Sequence, residues 1–157
     1  MRLFLSSTFD DLKLHRQTVE SSFAMSGITY NAMEHFGSTP RPPLKTCLNS
    51  VEASEGFIGV LGVRYGGSPS GRVLSYTQRE YQHARALGLP ILMFLIDMRN
   101  AAVAPALIAG ESRDQQARLH QFKNLVTSRH TVTFFTTPED LARLILASLI
   151  REFGAIV

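Results

Sequence analysis

Residues 91–96 read Ile-Leu-Met-Phe-Leu-Ile, six apolar side chains with no polar break. The run is far short of the roughly 18 residues a membrane-spanning helix needs. As a strand it points alternate side chains to opposite faces, so both faces have to be covered. That is the pattern of a parallel sheet packed between two layers of helix. The flanks agree with it. Ser75-Tyr76-Thr77-Gln78 has the form of a capping box opening a helix that ends at Gly88, before Pro90. Beyond a looser segment from Asp97 to Gly110, Leu119, Phe122 and Val126 mark a further helix.

The same alternation runs from end to end. Arg2–Ser6 is a short apolar strand, and Thr8 with Asp11 reads as an N-cap with an acid three residues on. Leu12, Val19 and Phe23 then form a helical stripe up to Gly27. Ile28–Met33 reads as a second strand. Leu44, Cys47, Leu48 and Val51 stand at i, i+3, i+4 and i+7, a helix entered through Pro42 and Pro43. Phe57–Leu61 is the third strand, with a glycine-rich loop from Gly62 to Gly71 behind it. Thr131–Phe135 is the fifth. Thr137-Pro138-Glu139-Asp140 caps a last helix whose inner face carries Leu141, Leu144, Ile145, Leu149 and Phe153. Five strands, each followed by a helix, predict a doubly wound α/β domain in the flavodoxin-like order 2-1-3-4-5. The 157 residues are one domain's worth.

Composition removes several function classes. One cysteine excludes a disulfide framework and a Cys-rich zinc site, and fits a reducing, cytoplasmic compartment. The five histidines, His15, His35, His83, His120 and His130, lack the spacing of a metal site and read as surface or structural. The net charge is +3, but the 16 Lys and Arg are scattered, without the aromatic interleaving of a nucleic-acid groove. Neither nucleic acid nor membrane is an expected partner.

In such sheets ligands bind beyond the carboxyl ends of the strands, at the switch point between strands 1 and 3. Glu80 falls on the inward stripe that Tyr76, Tyr81, Ala84 and Leu87 define, one turn into the third helix. A carboxylate there is costly unless paired or put to use, so it is either catalytic or a structural acid bonded, for example, to Arg64. Ser6-Ser7-Thr8 ends strand 1, where hydroxyls and free helix-terminal N–H groups can hold phosphate or ribose, though capping by Thr8 needs only one of them. In Gly62-Val63-Arg64-Tyr65-Gly66-Gly67 the glycines permit close backbone approach. Arg64 offers a planar fork for an anion, and Tyr65 offers a ring for stacking. Phe9 is a second candidate ring. Glu34 ends strand 2, where dinucleotide-binding folds place a ribose-binding acid. Cys47 sits on a core stripe and reads as inert.

These segments resemble domain-of-unknown-function family 4062. The resemblance is carried by Phe4-Leu5-Ser6-Ser7-Thr8-Phe9-Asp10-Asp11-Leu12, Met33-Glu34-His35-Phe36-Gly37, Pro42-Pro43-Leu44, Gly62-Val63-Arg64-Tyr65-Gly66 and Ser75-Tyr76-Thr77-Gln78-Arg79-Glu80-Tyr81. It continues through Ala84–Leu92 and Phe135–Leu141, so it covers nearly the whole chain. That family is regarded as related to TIR domains and nucleoside 2-deoxyribosyltransferases. It usually stands at the N-terminus of larger signalling proteins with NACHT, TPR or WD40 segments. The resemblance therefore implies that residues 1–157 are one TIR-like domain, an N-terminal module of a larger protein. In many TIR domains a glutamate in the helix after strand 3 supports cleavage of the nicotinamide–ribose bond of NAD. Glu80 occupies that place, and Ser75 stands where TIR domains carry a small polar residue. The Trp-Cys pair common just before that glutamate is absent here.

The implied function is a TIR-like effector that binds a nucleotide and cleaves the N-glycosidic bond of NAD. It would need no metal and no cofactor beyond NAD or a related nucleotide as substrate or ligand. Glu80 would be catalytic, with Ser6, Ser7, Thr8, Phe9, Glu34, Gly62, Arg64, Tyr65 and Ser75 around the ligand. The competing reading is a non-catalytic signalling module that self-associates, or a sensor of a nucleotide messenger. Both make further copies of the domain an expected partner.

Overall fold

The computed structural model describes residues 1–35, 37–39, 42–70 and 72–154, without the Glu34 side chain. Five strands, β1 (Arg2–Ser7), β2 (Thr29–Asn31), β3 (Gly56–Leu61), β4 (Ile91–Ile96) and β5 (Thr133–Phe135), pair in parallel in the order β2-β1-β3-β4-β5. Among the described residues six helices connect or follow them: α1 (Lys13–Ser26), α2 (Pro43–Glu52), α3 (Tyr76–Ala86), α4 (Pro105–Ala109), α5 (Arg113–Arg129) and α6 (Pro138–Phe153). The fold is the flavodoxin-like doubly wound sheet that the alternation predicts.

Period-two alternation divides the core into two layers. Leu3, Leu5, Ile58, Val60, Phe94 and Ile96 face α1 and α6, meeting Val19, Phe23, Leu141, Ile145 and Leu149. Phe4, Phe57, Leu61, Met93 and Leu95 face the other way, toward Val51 of α2, Tyr81 and Ala84 of α3, and Leu119, Phe122 and Val126 of α5. Each Val, Leu, Ile, Phe and Met side chain among them contributes about 1.5–3 kcal/mol on burial. The apolar run of β4 is thus used on both faces, with the bounds read from sequence.

Five local readings need correction, the first being that β5 begins at Thr133 rather than Thr131. Strand β2 covers only Thr29–Asn31, because it pairs with β1 alone and Ala32 already turns into a 3-10 turn at Met33–His35. Helix α1 starts at Lys13 rather than after Thr8, and Leu12 is its N-cap with no side-chain cap bond. The cause is Asp11, whose carboxylate is used elsewhere, as described below. The looser segment before α5 contains the short helix α4, entered through Pro105. On α3 the buried stripe is Thr77, Glu80, Tyr81 and Ala84, while Leu87 is exposed and Tyr76 half-buried. No helix among the described residues is long and apolar enough to cross a membrane.

Candidate functional site

A cleft of about 410 Å³ opens at the carboxyl ends of β1 and β3, the point where the strand order reverses. Ser7, Thr8, Phe9 and Asp10 line one side. Arg64, Gly66 and Gly67, from the loop after β3, line another. The first turns of α3 (Tyr76, Thr77) and α5 (Gln115) border it, with Glu111 just ahead of α5 and Met33 after β2.

The two loops are fastened to each other by Asp11. Its Oδ1 accepts the hydroxyl of Thr8, while its Oδ2 accepts the backbone N–H of Val63 at 2.9 Å and of Arg64 at 3.1 Å. Gly62 exists for this contact. A Cβ there would fall on Asp11 Oδ2 and stand 3.1 Å from Leu12. Gly66 has φ +86°, and its Cβ would meet Thr8 Cγ2 at 2.7 Å. So Gly62 serves close packing beneath the cleft, and Gly66 forms part of its wall.

The three consecutive hydroxyls are each engaged inside the protein. Ser6 is buried and donates to Glu80 Oε1 at 3.0 Å. Ser7 donates to the Thr8 carbonyl at 2.9 Å and accepts from Nη1 of the buried Arg16. Thr8 donates to Asp11. Ser7 and Thr8 still face the cleft, but Ser6 lies below it, and its task is to partner Glu80.

Glu80 is buried, as its spacing predicts, at 3% exposure. It does not line the cleft; Thr77, one turn earlier on α3, does. Nor is Arg64 its ion-pair partner. The Arg64 Nε lies 3.6 Å from Oε1 of Glu111, and its guanidinium lies against Gly110, where a Cβ would stand 3.1 Å from Nη1. Arg64 is the one Arg or Lys side chain that lines the cleft among the described residues.

Tyr65 has a different task from stacking. It is 2% exposed, its ring joins the core layer under α3, and its hydroxyl donates to Gln78 Oε1 at 2.6 Å. That same hydroxyl accepts the Ser75 backbone N–H at 3.2 Å. Ser75 Oγ in turn accepts the Gln78 N–H at 3.2 Å. In a capping box the residue at N3 reaches back to the N-cap amide directly; here the return arm passes through the tyrosine hydroxyl. Ser75 is therefore a buried cap. Phe9, by contrast, is 47% exposed on the cleft rim, where a ligand can reach its ring. The side chain of Glu34 lies outside the described residues.

Sequence reasoning missed three residues that shape the site. Asp11 reads as the acid that accompanies a Thr8 N-cap, although the strand-end glycine it touches is a visible cue. Arg16 lies on the buried side of α1 beneath Ser7. Glu111 belongs to no periodic stripe, so nothing in the pattern marks it. No group of three or more His, Cys, Asp and Glu among the described residues could hold a metal ion. The single cysteine, Cys47, is buried on α2.

A family model described as Domain of unknown function (DUF4062) matches residues 2–150, and the chain belongs to that family. No curated protein matches. Solved structures are similar at low identity, two among them as follows. A flavodoxin-like domain from Synechococcus sp. is 15% identical, covering 99% of this chain and 100% of that one, with a TM-score of 0.42. A diflavin flavoprotein A3 from Nostoc sp. is 11% identical, covering 96% of each chain, with a TM-score of 0.38.

Proposed function

We propose that this member of the DUF4062 family binds a nucleotide in the cleft beyond β1 and β3. The observation that carries the reading is the company Arg64 keeps there. Its guanidinium sits at the switch point of a doubly wound sheet, where such folds take their ligands. The N-terminal turns of the 11-residue α3 and the 17-residue α5 border the same cleft and favour negative charge. The exposed Phe9 ring offers an apolar face for a base. The volume falls within the roughly 300–1,000 Å³ of small-molecule sites.

Binding is better supported than turnover. Hydrolysis of an N-glycosidic bond, such as that of NAD in a TIR-like reaction, asks for a carboxylate beside the sugar to stabilise an oxocarbenium-like transition state. Glu80 is the acid in the corresponding place, but it lies one turn below the Thr77 wall and accepts from Ser6. The hydrolytic reading requires that bond to open and the carboxylate to reach the ligand.

Calorimetric titration with nucleoside mono- and diphosphates and NAD tests the proposal, with wild type and Arg64→Gln compared. Loss of a charge-assisted contact worth about 1.5–3 kcal/mol predicts affinity about 10- to 100-fold weaker in the variant. Absence of binding by every nucleotide, or equal affinity of Arg64→Gln, overturns it. Nicotinamide release from NAD that disappears in Glu80→Gln would assign turnover to the same site.

A further inference from the structure

Glu111 holds an unsatisfied acceptor in the cleft wall. The side chain is 1% exposed. Its Oε1 accepts the Gly66 N–H at 3.2 Å and faces Arg64 Nε at 3.6 Å. Its Oε2 is buried and has no hydrogen-bond partner among the described residues. Leaving a buried carboxylate oxygen without a donor is costly, so such an atom in a binding wall marks where a ligand donor belongs.

We infer that Glu111 Oε2 receives a ribose hydroxyl, so that this cleft selects ribonucleotides over their deoxy analogues; the inference rests on the nucleotide reading above. The chemistry of the pair restricts what can dock. Arg64 has only donors, and Glu111 Oε2 only accepts. The two residues sit side by side, so the ligand must present an acceptor and a donor next to each other. A phosphate offers no donor and would be repelled by the carboxylate. The vicinal diol of ribose offers both, since each hydroxyl can donate and accept. A carboxylate beside the sugar is also how dinucleotide-binding sheets read a ribose hydroxyl. Arg64 Nε stands 3.6 Å from Oε1 of the same carboxylate, with a quarter of the Arg64 side chain exposed.

The test titrates the intact chain with the four ribonucleoside 5′-monophosphates and their 2′-deoxy and 3′-deoxy analogues, at one ionic strength. Wild type should bind the ribo form about 10-fold or more tighter than at least one deoxy form. In Glu111→Gln the preference should fall below about 3-fold, because a neutral amide replaces the charged acceptor. The wild-type series needs no variant, so the inference stays testable even if Glu111→Gln folds poorly. Ribo and deoxy ligands bound equally by wild type would overturn the diol assignment while leaving nucleotide binding intact. Selection among bases with none among sugars would give Oε2 to a base amine and overturn it as well. A sugar preference kept in Glu111→Gln would place the reader elsewhere. Failure of every nucleotide to bind would remove both this inference and the reading beneath it.

Discussion

Replacing Asp11 with alanine is the most direct way to ask whether the cleft is built as described. The substitution removes the acceptor of two backbone N–H groups, those of Val63 and Arg64, and of the Thr8 hydroxyl. Hydrogen bonds to a charged acceptor contribute about 1.5–3 kcal/mol each. Val63 is buried, so its N–H loses its partner without replacement, whereas Arg64 is nearer to water and recovers part of the loss. The expected cost is about 3 kcal/mol, which lowers the melting temperature by roughly 6–12 °C in a chain of this size. Asp11→Asn should cost about 1 kcal/mol, since its oxygen can still serve the backbone while its amide donates to Thr8. Urea unfolding of both variants gives the numbers. A second readout is coupling with Gly62. In the Asp11→Ala background Gly62→Ala should cost about 1 kcal/mol less than in wild type, because only the Leu12 contact at 3.1 Å remains. An alanine variant within about 0.5 kcal/mol of wild type, with no coupling to Gly62, would refute the idea that Asp11 fastens the two loops.

Two further outcomes follow from the same geometry. Tyr65→Phe keeps the buried ring but deprives the Ser75 N–H and Gln78 Oε1 of their partner. It should cost about 1–3 kcal/mol in urea unfolding and speed amide exchange at the start of α3, and unchanged exchange there would count against the indirect cap. His15 titrates below its ordinary value because burial disfavours its charged form, against the opposing charges of Asp11 and Glu139 and a backbone bond at Thr136. The unfolded chain therefore binds more protons as pH drops below about 6.5, so this part of the stability is complete above that value and is lost as pH falls through it. His130 shifts in the same direction, so His15→Phe should flatten, but not abolish, the decline in stability between pH 7 and 5. An unaltered slope in that variant would show that His15 carries none of it.

What the sequence made legible was whatever periodicity controls. The bounds of β4 came from an unbroken apolar run between Pro90 and Asp97, and the burial of Glu80 from the 3.6-residue repeat of its helix. Residues beyond strand ends obey no period, and there the reading was weaker. Tyr65 looked like an exposed ring between glycines, yet the chain folds it inward beneath α3. Ser6, Ser7 and Thr8 looked alike, and only tertiary partners distinguish the one that bonds Glu80 from the two that face the cleft. Glu111 stood at the boundary of a helix, and its importance arises from a loop 45 residues away in sequence that places Gly66 and Arg64 against it.

The brevity of the two outer strands has a consequence for how copies of this chain can meet. Strands β2 and β5 are three residues each, while the inner three have six. An edge that short offers few free amides and carbonyls as a template, a common protection against runaway edge-to-edge growth. Assembly by extending the sheet from one molecule into the next is correspondingly disfavoured. Association through helix faces and strand-end loops is favoured instead, where contacts are specified by side chains rather than by the backbone.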